Sequence, residues 1–197
     1  MKGDQDKALK CHEKALKIRL DKLGSDHIDV ANSYNNMGNV YWIIGEYNKA
    51  IEYHKKALKI RLDKLGSDHV DVANSYDNMG NVYLKIGEYD RAIEYYEKSL
   101  KIKLDKLGSD HIDVASSYVN LGSVYFSKGE YNKTIEYHEK SLKIKLDKLG
   151  SDHIDVANLY NNLGATYQNN GEYDKAIEYH KKALKIRLDK LGSNHEN

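Results

Sequence analysis

Asparagines are the chemistry-bearing residues that this sequence spaces most regularly. Asn32, Asn35, Asn36 and Asn39 stand at i, i+3, i+4 and i+7, the spacing of one helix face. The same positions hold Asn74, Asp77, Asn78 and Asn81, then Ser116, Val119, Asn120 and Ser123, then Asn158, Asn161, Asn162 and Ala165. A carboxamide presents a donor and an acceptor side by side, which complements the N–H and C=O of an extended peptide backbone. Asparagine is also up to ~0.7 kcal/mol worse than alanine at each helical position, so four on one helix require compensation. Two compensations are open: binding of a peptide, or hydrogen bonds between asparagines of successive helices and to water.

Other side chains near this face suggest specificity. Trp42 and Phe126 are the only Trp and Phe in the chain, and each follows an asparagine ridge whose core side is already filled by tyrosines. They read either as anchors for a ligand or as caps on the packing against the next helix pair. Lys85 is the main basic residue there. The nine histidines raise the question of metal, above all in the recurring Ser25-Asp26-His27 motif. Histidines in successive loops, separated by roughly 10 Å per stacked helix, do not converge on one ion, so no metal site is expected. Neighbouring Ser, Asp and His in one short loop cannot form a catalytic relay either, and no glycine-rich phosphate loop is present. No catalytic residue and no cofactor are expected.

The elements that place these residues follow from an internal repeat. Gly45, Gly87, Gly129 and Gly171 of the Gly-Glu-Tyr motif recur at an even spacing of about 42 residues, a period that marks stacked helical units. Val30, Tyr34, Met37, Gly38 and Tyr41 form the apolar stripe of one helix, A, over about 29–44. Tyr47, Ala50, Ile51, His54, Ala57, Leu58 and Leu62 form that of a second, B, over about 46–64. Gly45 and Gly66 stand just past the two helices, where a residue with φ > 0 closes the last turn. Two helices joined so tightly lie antiparallel, and a lone pair leaves an apolar side bare that the next pair covers. The expected fold is all-α, an α-solenoid of antiparallel helix pairs.

The spacing Tyr34, Met37, Gly38, Tyr41, Gly45, Tyr47, Ala50, Ala57, repeated from Tyr76 onward, resembles the tetratricopeptide (TPR) signature. The period and the Leu-Gly-Ser-Asp-His lead-in resemble in particular the repeats of kinesin light chains, with Ile28, Val70, Ile112 and Ile154 standing where that group has proline. The resemblance implies a right-handed superhelix whose A helices line a concave groove, and a non-enzymatic scaffold for protein partners. The residues expected to meet an extended peptide are then Asn32, Asn35, Asn36, Asn39, Trp42, Asn74, Asn78, Asn81, Lys85, Asn120, Phe126, Asn158, Asn161 and Asn162. The face lacks the basic clamp by which some TPRs hold a C-terminal carboxylate, and most of the basic residues suited to acidic cargo.

Composition narrows the alternatives. The chain is 197 residues, 40% apolar and 31% charged, with a formal charge of +1, so it should bury a core and carries no global field toward nucleic acid or an anionic membrane. An RNA-binding array would need a basic A-helix face, whereas this one is mostly neutral amide. Proline is absent, which fits a chain made mostly of helix. The single Cys11, the lack of a spanning apolar run and the lack of a signal-peptide apolar region point to the cytoplasm. Residues 1–24 read as a B helix whose A helix is missing, 25–66, 67–108, 109–150 and 151–192 as four A/B units, and 193–197 as the start of another. Such ends would expose surface normally covered by a neighbouring repeat, hence an expectation of end-to-end self-association and, as the competing role, of a self-stacking spacer.

Overall fold

In the computed structural model, which describes residues 2–193, each glycine after a helix takes the left-handed backbone that only glycine adopts freely; Gly45 has φ 83° and Gly66 φ 87°. At the A-to-B turn the Glu46 N–H donates to the Tyr41 carbonyl and the Gly45 N–H to that of Trp42, closing the helix in a Schellman motif. Among the described residues this punctuation yields nine helices and no strand: α1 (Lys2–Leu23), α2 (Ile28–Ile43), α3 (Tyr47–Leu65), α4 (Val70–Lys85), α5 (Tyr89–Leu107), α6 (Ile112–Ser127), α7 (Tyr131–Leu149), α8 (Ile154–Asn169) and α9 (Tyr173–Ser193). The A helices start and end one residue earlier than their apolar stripe suggests. His27 sits in extended backbone and its Nδ1 accepts a hydrogen bond from the Asp29 N–H, so the helix begins at Ile28. The truncated repeat expected at 193–197 lies, beyond Ser193, outside the described residues.

The chain divides into two units, Met1–Lys106 and Leu107–Asn197. In the first, Leu9, Leu16 and Leu20 of α1 pack on Val30 and Ala31 of α2, whose other side meets Ala50, Ala57 and Ile60 of α3. Leu58 and Leu62 of α3 then pack with Val72, Ala73 and Tyr76 of α4. In the second unit Ile135, Leu142 and Leu146 of α7 meet Val156, Ala157 and Leu159 of α8, which closes on Ala176 and Ile186 of α9. α3 and α9 thus each touch their own A helix on one side. The B surfaces are also alike in detail, because Lys14–Ser25, Lys56–Ser67 and Lys182–Ser193 are identical in sequence.

Within each pair the helices are drawn together by missing side chains. Gly38 lies under the ring of His54, and a Cβ there would fall 2.6 Å from it; Gly80 stands in the same relation to Tyr96, Gly122 to His138 and Gly164 to His180. His54 and His138 are 2% and 3% exposed, deeper than partly covered packing positions. Outside this contact, the second tyrosine of each A helix stacks on a B tyrosine, as Tyr41 on Tyr53 at 5.2 Å and Tyr83 on Tyr95 at 5.4 Å between centroids. Lys56, held by Glu52 at 2.6 Å, covers the Tyr53 ring, and Lys98, Lys140 and Lys182 repeat the arrangement.

Two outcomes follow from the glycine contact and the buried rings. In Gly80→Ala the helix-propensity gain of about 1 kcal/mol is set against overpacking of a fully buried tyrosine at roughly 1–3 kcal/mol, and overpacking wins; the melting temperature falls by several degrees, whereas a rise would show that the ring gives way. The second outcome concerns acid. Burial pushes the pKa of His54 down to about 4, with the Arg61 charge adding to it. Burial does the same to His138, opposed in part by the Val119 backbone. As pH falls through the ordinary histidine value of 6.5 toward 4, the unfolded chain takes up protons that the folded chain refuses, and stability drops by up to roughly 3 kcal/mol for each ring. Asp26, Asp68, Asp110 and Asp152 are held below the usual carboxylate range by hydrogen bonds to Lys64, Lys106, Lys148 and Lys190, so their loss comes only at more acid pH. Thermal melts between pH 7 and 5 should therefore show a falling midpoint, and a much shallower fall in His54→Tyr/His138→Tyr; equal slopes would remove the histidines as the cause.

Candidate functional site: the A-helix face

The asparagine ridge divides into residues bound within the protein and residues that face outward. Asn78 of α4 donates to Asn35 Oδ1 of α2 at 2.7 Å, a direct bond between successive A helices. Asn32 accepts from Arg61 Nη2 at 2.9 Å, Asn81 from the Tyr96 hydroxyl at 2.6 Å, and Asn158 from Arg187 Nη2 at 3.2 Å. Asn161 Oδ1 lies 3.1 Å from His180 Nδ1. Asn36, Asn39, Asn74 and Asn162 are exposed, and Asn120 is half-buried. Lys85 is exposed as well. Six of the expected asparagines therefore have a hydrogen-bond partner within the protein, and the other asparagines stand between them on a backbone that these bonds fix.

One repeat position of the B helices carries a cation in each copy, Arg19, Arg61, Lys103, Lys145 and Arg187, and two of these, Arg61 and Arg187, hold Asn32 and Asn158. Arg61 is 7% exposed and bridges two A helices, bonding Asn32 of α2 and, through Nη1, Ser75 Oγ of α4 at 2.7 Å. Arg19 makes the corresponding bond to Ser33 at 2.6 Å. In the second repeat lysine replaces arginine and Asp77 stands at the position of Asn35, and Lys103 Nζ meets Asp77 Oδ2 at 2.5 Å in a nearly closed setting. A guanidinium can serve two neutral acceptors at once, whereas an ammonium is matched here by one carboxylate.

The two unusual aromatics each line a recess. Trp42, 37% exposed, stands with Asn39, Ile43, His54, Asn78 and Asn81 around about 280 Å³ between α2 and α4. Phe126 stands with Ser123, His138, Asn162, Ala165 and Thr166 around about 170 Å³ between α6 and α8, and its ring meets Tyr131 edge-on at 5.8 Å. Both recesses have a buried histidine in their lining.

Sequence reasoning missed two sets of residues. His27, His69, His111 and His153 cap the A helices, each accepting the N–H of the aspartate two residues on at 3.1 Å. Histidine is outside the usual capping set, and the available signal was its position just ahead of each apolar stripe. The buried cation position was visible as a basic residue returning inside Ile60-Arg61-Leu62 and its copies. Among the described residues no three His, Cys, Asp or Glu side chains group as they would around a metal ion. No described helix is long and apolar enough to cross a membrane.

Comparison with known proteins agrees with the fold of stacked helix pairs. The family model described as tetratricopeptide repeat matches residues 1–63, 29–105 and 113–195. No curated protein matches the chain. Among solved structures it is similar to BtubC (BKLC) from P. vanneervenii, with a TM-score of 0.85 and 28% identity over 97% of this chain and 76% of that one. It is similar in fold to a putative kinesin light chain of Podosopora anserina with nearly identical TPR-like repeats, with a TM-score of 0.80 and 23% identity over 96% and 90%. RapI in its apo form has a TM-score of 0.81 and 21% identity over 98% and 67%. With repeats matched along nearly its whole length and pairs of antiparallel helices throughout, the chain belongs to the tetratricopeptide-repeat family.

Proposed function

We propose that the protein is a non-enzymatic scaffold whose A-helix face takes up an extended peptide of a protein partner. The observation that carries this is the division of the ridge. Bonds to Arg61, Tyr96, Arg187, His180 and a neighbouring asparagine account for Asn32, Asn35, Asn78, Asn81, Asn158 and Asn161, but not for the outward carboxamides of Asn36, Asn39, Asn74 and Asn162. Those keep the helix-propensity penalty and offer donor and acceptor pairs to anything extended that lies along the face. The A helices contribute few charges there, so such recognition uses backbone groups more than side-chain charge.

A self-stacking spacer draws support from α9. Leu184 and Leu188 are 55% and 57% exposed, while the equivalent Leu58 and Leu62 of α3 pack against α4. Light scattering over a concentration series separates the two roles: growth of the particle with concentration supports stacking, and a constant monomer mass counts against it.

The peptide role is tested by a pull-down from a displayed peptide library with wild type and with Asn36→Ala/Asn74→Ala/Asn120→Ala. The triple variant should lose enriched peptides by ten-fold or more and melt no lower than wild type, since alanine improves helix propensity at each site. A variant that melts lower while enrichment is unchanged would assign these asparagines to packing.

A further inference from the structure

We propose that the recesses beside Trp42 and Phe126 are side-chain subsites for a hydroxyl-bearing residue of the bound peptide, with His54 and His138 as their polar floors. The source of that residue rests on the peptide-binding role above; the chemistry of the subsite does not.

The floors lack the bonds that buried polar groups normally make. Nδ1 of His54 has no hydrogen-bond partner, and the ring nitrogens of His138 have none beyond an approach to the Val119 backbone that falls short of hydrogen-bond geometry, although both residues are almost wholly buried. Leaving a buried imidazole nitrogen unpaired is costly, and a ligand group that reaches it recovers that cost. The opening above each floor has an aromatic wall and at least one carboxamide, Asn39, Asn78 and Asn81 in one case and Asn162 in the other. A group that enters must have an apolar body and a tip able both to donate and to accept, and a hydroxyl does both.

The chain supplies its own precedent. In the second repeat Tyr96 takes the place of the histidine, its ring crosses Gly80 as the His54 ring crosses Gly38, and its hydroxyl donates to Asn81 at 2.6 Å. Asn81 occupies the repeat position of Asn39, which lines the first recess. In that repeat Leu84 stands where Trp42 and Phe126 stand in theirs. Aromatic wall and histidine floor thus occur together in the first and third repeats; in the second, where Leu84 replaces the wall, the protein fills the space with a phenol of its own, and in the fourth, where Gln168 replaces it, the His180 ring nitrogen has a partner in Asn161. The shorter imidazole leaves open, in the first and third, the volume that a hydroxyl-tipped side chain occupies.

The test uses the full chain with 13C-labelled histidine and follows the Cε1–H signals of His54 and His138 during titration with p-cresol, the side chain of tyrosine, with 1-propanol, a short aliphatic alcohol, and with toluene, which lacks the hydroxyl. p-Cresol should shift both signals saturably and at least roughly five-fold more tightly than toluene, the worth of about one net hydrogen bond. His54→Tyr fills the first recess in the manner of Tyr96, so it should abolish the response there; His138 should respond as before. If His54→Tyr does not fold, Trp42→Ala removes the wall from the surface and should weaken binding at His54 alone. A propanol response without a cresol response assigns the recess to short alcohols and keeps the hydroxyl rule. Equal affinity for toluene and p-cresol, or no saturable shift with any alcohol, overturns the proposal. Cresol binding by the wild-type protein while the wild-type protein enriches no peptide leaves the subsite standing and removes the peptide role. Enriched peptides without a hydroxyl residue at a fixed place do the reverse.

Discussion

The structure depends on one close approach: an A-helix glycine lying directly beneath a B-helix ring. Gly38, Gly80, Gly122 and Gly164 each leave room for an imidazole or phenol where a single methyl group would collide. This contact sets how near the two helices come, and with it the stacking of Tyr41 on Tyr53 and Tyr83 on Tyr95 on one side and the reach of Arg61 or Lys103 on the other. Mid-helix glycine is unfavourable by about 1 kcal/mol relative to alanine, so the ring contact must return more than that in dispersion and burial. Two of the rings that pack the pairs, His54 and His138, are also those with buried nitrogens left unsatisfied, so packing and the proposed recognition fall on the same side chains.

Above this layer, the buried cations decide which carboxamides are available. Arg61 draws Asn32 toward the interior and ties α2 to α4 through Ser75, and Asn35 and Asn78 close on each other. Their bonds turn a flexible row of polar side chains into a fixed one, which lowers the ordering cost of any ligand that the remaining asparagines meet. TPR membership makes a protein partner the natural ligand class, and the A-helix face holds the exposed carboxamides of Asn36, Asn39, Asn74 and Asn162.

Much of the fold was legible because it is periodic. Glycine at Gly45 and Gly66 announced the ends of helices, and the stripes through Met37 and His54 gave helix type and facing with an error of one residue at the boundaries. The site was legible only in outline. Sequence spacing put Asn32, Asn35, Asn36 and Asn39 on one face, but whether each points to a ligand or to Arg61 depends on the neighbouring helix, which no single-helix pattern encodes. The capping role of His27 was hidden for a different reason: its ring nitrogen does locally what serine or aspartate commonly does, so residue type misled where position was right.

Identical B surfaces on Lys14–Ser25, Lys56–Ser67 and Lys182–Ser193 have a consequence for how the chain assembles. An A helix that collapses onto the wrong copy finds the same leucines and the same arginine, and the additional loop it must close to get there costs only about 0.6 kcal/mol per doubling of length. Slipped arrangements are therefore close in energy to the native one during early collapse, and what tells them apart are the places where the copies differ. Asp77 and Tyr96 stand in the second repeat alone, where they pair with Lys103 and Asn81. The second repeat is the landmark from which the chain can count its own turns.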